Sequence, residues 1–285
     1  MKPKQHTLWL LAAMSAPLAH FSGSGWLMTA LAASAVLPLT LLPKAWEGMT
    51  KPLLLLQLLW LGAVAGALLT GSAVYWPSDN DLAVPLTILA LAALTDSASA
   101  PRIGAALALC IALLSILPAV SGAARVEGAW LRPAVAVWPW SLTLVLLLPN
   151  LPAAGDRKNR GAVYAGLLAT ALALLVQGTI SPQVGASVSD PFYQTARTLG
   201  YLEPVIAAGI TLGWYAATAY LLENARWLGK QMGLRARMAS VLPLGTAILG
   251  MLGGVQLREP FWALLSTFLW VLSPFLTKIK KVKKT

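Results

Sequence analysis

Residues 52–75 read PLLLLQLLWLGAVAGALLTGSAVY, and no charged side chain occurs between Lys51 and Asp79. A helix that crosses a bilayer needs roughly 20 mostly apolar residues, so this stretch suffices for one crossing. The same pattern recurs in both directions along the chain. Apolar runs fall at about 5–21, 26–42, 52–75, 82–95, 103–120, 133–151, 161–180, 204–222, 238–255 and 261–276, and Gly/Ser, Pro or charged residues punctuate them. The run at 82–95 is the shortest, and residues 223–237 form a basic segment that reads as an interfacial helix. Of the 285 residues, 58% are hydrophobic and only 11% charged, with mean hydropathy +0.70. Soluble domains carry about 25% charged residues, so this chain has too few to cover a water-facing surface. The expectation is an all-α integral membrane protein with about ten transmembrane helices in one domain, 1–285, and no separate soluble domain.

The charges set the orientation. Ten spans with the N-terminus inside leave only Arg125, Arg132, Arg197 and Arg258 in outside segments, and the other 17 of the 21 Lys and Arg residues fall inside. Cytoplasmic loops concentrate Lys and Arg, so both termini are expected on the cytoplasmic face of the membrane. The net charge of +11 is accounted for in this way, without a nucleic-acid partner. Lys2 and Lys4 ahead of Leu8–Ala19 imitate a signal peptide, but the segment serves equally as a first span. The lysine-rich tail at 278–284 is expected to fix the last span on the inner side; the other reading is attraction to anionic headgroups.

Catalytic chemistry is sparse. All ten acidic residues fall in the expected loops, whereas proton relays and pumps place such groups inside the membrane. The only histidines are His6 and His20, and the single cysteine, Cys110, sits in an apolar run. No metal-ligand spacing, phosphate-binding loop or nucleophile elbow occurs. No enzyme activity, metal or cofactor is expected.

Helix breakers remain. Ser15-Ala16-Pro17 interrupts the first run, and Trp138-Pro139-Trp140 interrupts the sixth. Proline removes a backbone donor, and backbone groups freed at membrane depth must be covered by protein or line a cavity. Breaks at equivalent places in two halves point to a transporter-type site. Helices one and six are equivalent if the chain is two five-helix inverted repeats of the leucine-transporter type, at about 1–124 and 125–285.

The order of these features resembles the ten-helix membrane subunit, the B subunit, of bacterial spore germinant receptors, in the amino acid–polyamine–organocation transporter superfamily. The similar residues are Lys4-Gln5 before the first span and the Tyr75-Trp76-Pro77 loop with its short fourth span. Leu131-Arg132-Pro133, Leu148-Pro149 and the basic loop at 156–160 bracket the sixth. Asp190-Pro191-Phe192 with Arg197, then Glu203 and Trp214, precede and enter the eighth. The chain departs from that family in having Ser15-Ala16-Pro17 for a glycine-rich break, no acidic residue on the sixth span, and Pro204 in place of an arginine beside Glu203.

The resemblance implies a place in the bacterial cytoplasmic membrane or the spore inner membrane, and binding of a small solute, such as an amino acid, between helices one and six and helices three and eight, with a conformational signal to other germinant-receptor subunits. Backbone amides at a half-helix N-terminus hold a carboxylate, Ser15 supplies a hydroxyl, and Trp138, Trp140, Tyr215 and Tyr220 form aromatic walls. The other readings are a secondary amino-acid transporter on the same fold and a ligand-free membrane scaffold or assembly protein.

Overall fold

The computed structural model describes residues 9, 13, 49–70, 72, 76, 80–95, 203–253 and 260–272. Helices α1 (Lys51–Leu69), α2 (Ala83–Leu94), α3 (Glu203–Gln231), α4 (Ala236–Leu252) and α5 (Pro260–Thr267) account for most of them, and α5 continues as a π-helical turn, Phe268–Leu272. The five coincide with expected runs three, four, eight, nine and ten. The other expected spans, and the repeat boundary near 124, lie outside the described residues.

α1 is the central helix. Thr50 is extended, Pro52 occupies the first turn, where its missing N–H costs nothing, and the Leu53 and Leu54 amides both donate to Thr50 O at 3.1 Å. From Leu58 onward most of α1 is buried, and Leu58, Leu61, Ala65 and Leu69 are fully covered. The helix stops at Leu69, short of the expected residue 75. Thr70 Oγ1 donates to Ala67 O at 2.8 Å and Ser72 Oγ to Leu69 O at 2.6 Å. Hydroxyls that bond nearby carbonyls compete with the helical ladder, and both of these lie at the end of α1.

Glycine sets the contact between α1 and α4. A Cβ on Gly62 would lie 2.5 Å from Pro243 O, one on Gly66 would lie 2.7 Å from the Ala247 carbonyl carbon, and one on Gly250 would lie 2.9 Å from Ala63 Cα. The two backbones therefore touch directly, as small residues spaced four apart allow. Pro243 lies inside α4 and cannot donate to the turn before it. One turn later, Thr246 Oγ1 reaches back to Leu242 O at 3.1 Å and Pro243 O at 3.0 Å.

α3 is one continuous helix of 29 residues, about 43 Å long at 1.5 Å per residue. This corrects the expected break into a span ending near 222 and a separate interfacial helix. Glu223 and Arg226, whose charges read as punctuation, form an i,i+3 ion pair at 3.6 Å and leave the backbone helical. α3 ends at Gly233, where φ is +79°. Leu234 N donates to Gly229 O and Gly233 N to Lys230 O, both at 3.0 Å, the paired closure of a Schellman turn. Replacing Gly233 by alanine is expected to cost about 1–2 kcal/mol, because a side chain disfavours the left-handed conformation. A lowered unfolding temperature of the detergent-purified protein reads this out.

The contacts fix helix directions. Gly62 meets Pro243 and Gly66 meets Ala247, so α1 and α4 run parallel. Trp60 pairs with Ser266 and Gln57 with Leu269, so α5 runs antiparallel to α1. α3 joins α4 through a tight hairpin in which Gly229 lies against Ala239 and Leu58, so it also opposes α1. Trp76, before α2, bonds Thr211, and Thr95, after α2, meets Arg226, so α2 follows α3. Charge follows the same axis. Lys51, Glu223, Arg226, Lys230, Arg235 and Arg237 lie toward one end, and Asp81 and Glu203 at the other.

α1 and α3 are long and apolar enough to cross a membrane, with window hydropathies of 2.1 and 1.5, and α2 and α4 are shorter apolar helices. Large apolar side chains also face outward: Leu94 is 83% exposed, and Leu249, Leu252, Phe261 and Leu264 each exceed 60%.

Candidate functional site

Of the residues expected to form a solute site, Ser15, Ala16, Pro17, Trp138, Pro139 and Trp140 lie outside the described residues. Tyr215 and Tyr220 are both on α3. Five helical residues turn about 140°, so the two rings face different neighbours. Tyr220 is fully buried and packs edge-on against Trp9, with ring centroids 5.1 Å apart and planes at 89°. Trp9 Nε1 also donates to Ala216 O at 3.1 Å, using the second lone pair of a helical carbonyl. Trp9 and Ala13, both from the first expected run, are buried, and Trp9 lies against the 216–220 section of α3.

Tyr215 belongs to a different cluster, at the C-terminus of α2. Its hydroxyl hydrogen-bonds Thr95 Oγ1, which also donates to Leu91 O at 2.9 Å. Arg226, toward the C-terminal end of α3, donates from Nη2 to Ala93 O at 2.6 Å and from Nη1 to Thr95 O at 3.2 Å. A guanidinium on the last carbonyls of a helix satisfies acceptors that have no amide partner and complements the negative end of the helix dipole. Glu223 holds the same Nη1 from the far side.

A third polar feature crosses the seam between α1 and α5. Gln57 is completely buried. Its Nε2 donates to Leu269 O at 2.7 Å and approaches Met49 Sδ at 3.7 Å. Its Oε1 is buried and has no hydrogen-bond partner among the described residues; a buried acceptor left unpaired costs about 1–3 kcal/mol. One turn along, Trp60 Nε1 donates to the buried Ser266 hydroxyl at 3.0 Å. Leu269 lies in the π-helical turn, a rare geometry that is frequent at functional sites. Beside this seam runs a groove of about 290 Å³ walled by Leu56, Leu59, Trp60, Thr246, Leu265 and Leu269, among others. The groove walls are almost wholly apolar, and Gln57 lies buried in the seam behind them and does not line the groove.

No protein-family model and no curated protein sequence matches the chain. Among the described residues, no group of three or more His, Cys, Asp or Glu side chains could hold a metal ion.

Sequence reasoning passed over both Gln57 and Arg226. Gln57 was detectable as the sole amide in an otherwise apolar run, but a search for intramembrane charge does not register a neutral polar group. Arg226 reads as one of several basic residues after a span, and nothing local signals that its target lies 131 residues earlier.

Proposed function

We propose that the chain is a multi-span integral membrane protein with both ends cytoplasmic. It binds a small solute such as an amino acid among its first, third, sixth and eighth spans, and passes a conformational signal to partner subunits, as its resemblance to germinant-receptor B subunits implies. The observation that carries the membrane reading is the division of charge along the bundle. Among the described residues, the end bearing Lys51, Lys230, Arg235 and Arg237 is basic, the end bearing Asp81 and Glu203 is acidic, and apolar surface lies between. Positive charge collects on the cytoplasmic side of membrane proteins, so the basic end is the inner one.

Helix directions support the same reading. α1 and α4 lead away from the basic end, and α2, α3 and α5 lead toward it, as odd and even spans of an N-inside protein require. α2 finishes at the basic end and α3 begins at the acidic one. An odd number of crossings by residues 96–202 fits this, and the sequence supplies three apolar runs there. The solute site draws support from adjacency. Trp9 of the first run lies on α3, and α3 lies on α1, so parts of three of the four expected walls are neighbours.

The test is thermal unfolding of the detergent-purified protein against amino acids and nucleosides. A solute that binds only the folded form stabilises it by about 2.7 kcal/mol at a hundredfold excess over Kd. The expected result is a solute-specific shift that Trp140→Ala abolishes. A flat response across the panel removes solute binding and leaves the scaffold reading. Uptake of the stabilising solute into proteoliposomes assigns the protein as a transporter instead.

A further inference from the structure

We propose that the hairpin between α3 and α4 is a docking surface for anionic lipid headgroups. The inference rests on the membrane reading above but names a partner that this reading does not require. Lys230, Arg235 and Arg237 project from the two sides of the Gly233 turn, and all three are exposed. Gly229 is pressed against Ala239 and the side chain of Leu58, which brings the hairpin alongside the start of α1 and adds exposed Lys51 to the same end. The only described acid near this end, Glu223, is paired with Arg226. Four exposed cations therefore lie at one end of the bundle with no described carboxylate free to neutralise them.

The placement of these charges is costly to the protein alone. Arg235 is the N-cap of α4, Arg237 sits in its first turn, and that turn holds no acidic residue, so the helix dipole opposes both. An external anion offsets that repulsion. Trp227 is 36% exposed and Met238 48% exposed on the same hairpin. An indole at the polar–apolar boundary is typical of headgroup depth, and a soluble anion has no use for the apolar neighbours. Cations adjoining an apolar rim fit a phosphate-bearing headgroup with its acyl chains below.

The experiment is native mass spectrometry of the full chain from neutral detergent containing equal phosphatidylglycerol and phosphatidylcholine. The wild type is expected to retain phosphatidylglycerol preferentially. The triple variant Lys230→Gln/Arg235→Gln/Arg237→Gln is expected to lose that preference, at about fivefold per cation removed. The tail variant Lys280→Gln/Lys281→Gln/Lys283→Gln is expected to keep it. If the triple variant does not fold, Arg237→Gln alone carries a single fivefold step.

Equal retention of both lipids by the wild type, or an unchanged preference in the hairpin variant, overturns the proposal. So does a polyglutamate peptide that displaces the lipid through the same three residues, since the surface then belongs to an acidic protein partner. A chain that stays monodisperse without detergent defeats the membrane reading itself. Equal retention of both lipids by a detergent-dependent wild type defeats only the docking surface.

Discussion

Gly66→Ala is expected to destabilise the protein by more than about 3 kcal/mol, at or beyond the usual cost of overpacking a core. The added methyl has nowhere to go, since its carbon would sit 2.7 Å from the Ala247 carbonyl carbon and nearer still to its oxygen. Those atoms are backbone of α4 and cannot rotate aside as a side chain would. The two helices must separate along their length, forfeiting the dispersion contacts that close approach provides. Gly62→Ala meets Pro243 O and the Thr246 hydroxyl and is expected to behave similarly. Gly245 lies on the open side of α4, where an added methyl would find no atom within 4 Å, so Gly245→Ala is expected to gain about 0.5–1 kcal/mol from helix propensity. Unfolding temperatures of the three variants in one detergent decide the matter. Equal values for Gly66→Ala and Gly245→Ala would mean that α1 and α4 do not meet through these glycines.

Arg226→Gln is expected to lose about 2–3 kcal/mol, the scale of hydrogen bonds made by a charged group, and to loosen the end of α2. Two carbonyls, Ala93 O and Thr95 O, lose their donor together. α2 has only 12 residues, so its last turn has little helix of its own to hold it. Hydrogen exchange of amides in residues 91–95 is expected to quicken before that of α1. Arg226→Lys is expected to recover less than half the loss, because one ammonium cannot span two carbonyls as a planar fork does. Glu223→Gln is expected to change stability by less than about 1 kcal/mol, as for other partly exposed ion pairs. Unaltered exchange at 91–95 in Arg226→Gln would show that the guanidinium does not hold α2.

The positions of the five helices were legible in sequence because each is an apolar run bounded by breakers. Their ends were less so. The end of α1 coincides with Thr70 and Ser72 hydroxyls that bond carbonyls, and α3 runs on through Glu223 and Arg226, which pair with each other. Neither contact can be read from composition. The glycines at 62 and 66 stand in plain view as a spacing of four, yet their significance comes from Pro243, Ala247 and Gly250, far along the chain. Of the expected site, Tyr215 and Tyr220 share a helix but not a face, which the 3.6-residue period already implies. The Ser15–Pro17 and Trp138–Trp140 breaks lie outside the described residues.

The two kinds of joint in this bundle have different mechanical properties. Between α1 and α4 backbone rests on backbone, and between α3 and α4 a closed turn leaves no slack, so these three helices form a chassis. α2 is tied to that chassis through the Arg226 fork and the hydroxyls of Tyr215 and Thr95. α5 is tied through Gln57 and Trp60. Ties made by side chains can be exchanged one for another by rotation about single bonds, at little cost to the frame. Relative motion among the described helices is therefore expected at α2 and α5, with α1, α3 and α4 as the fixed reference against which they shift.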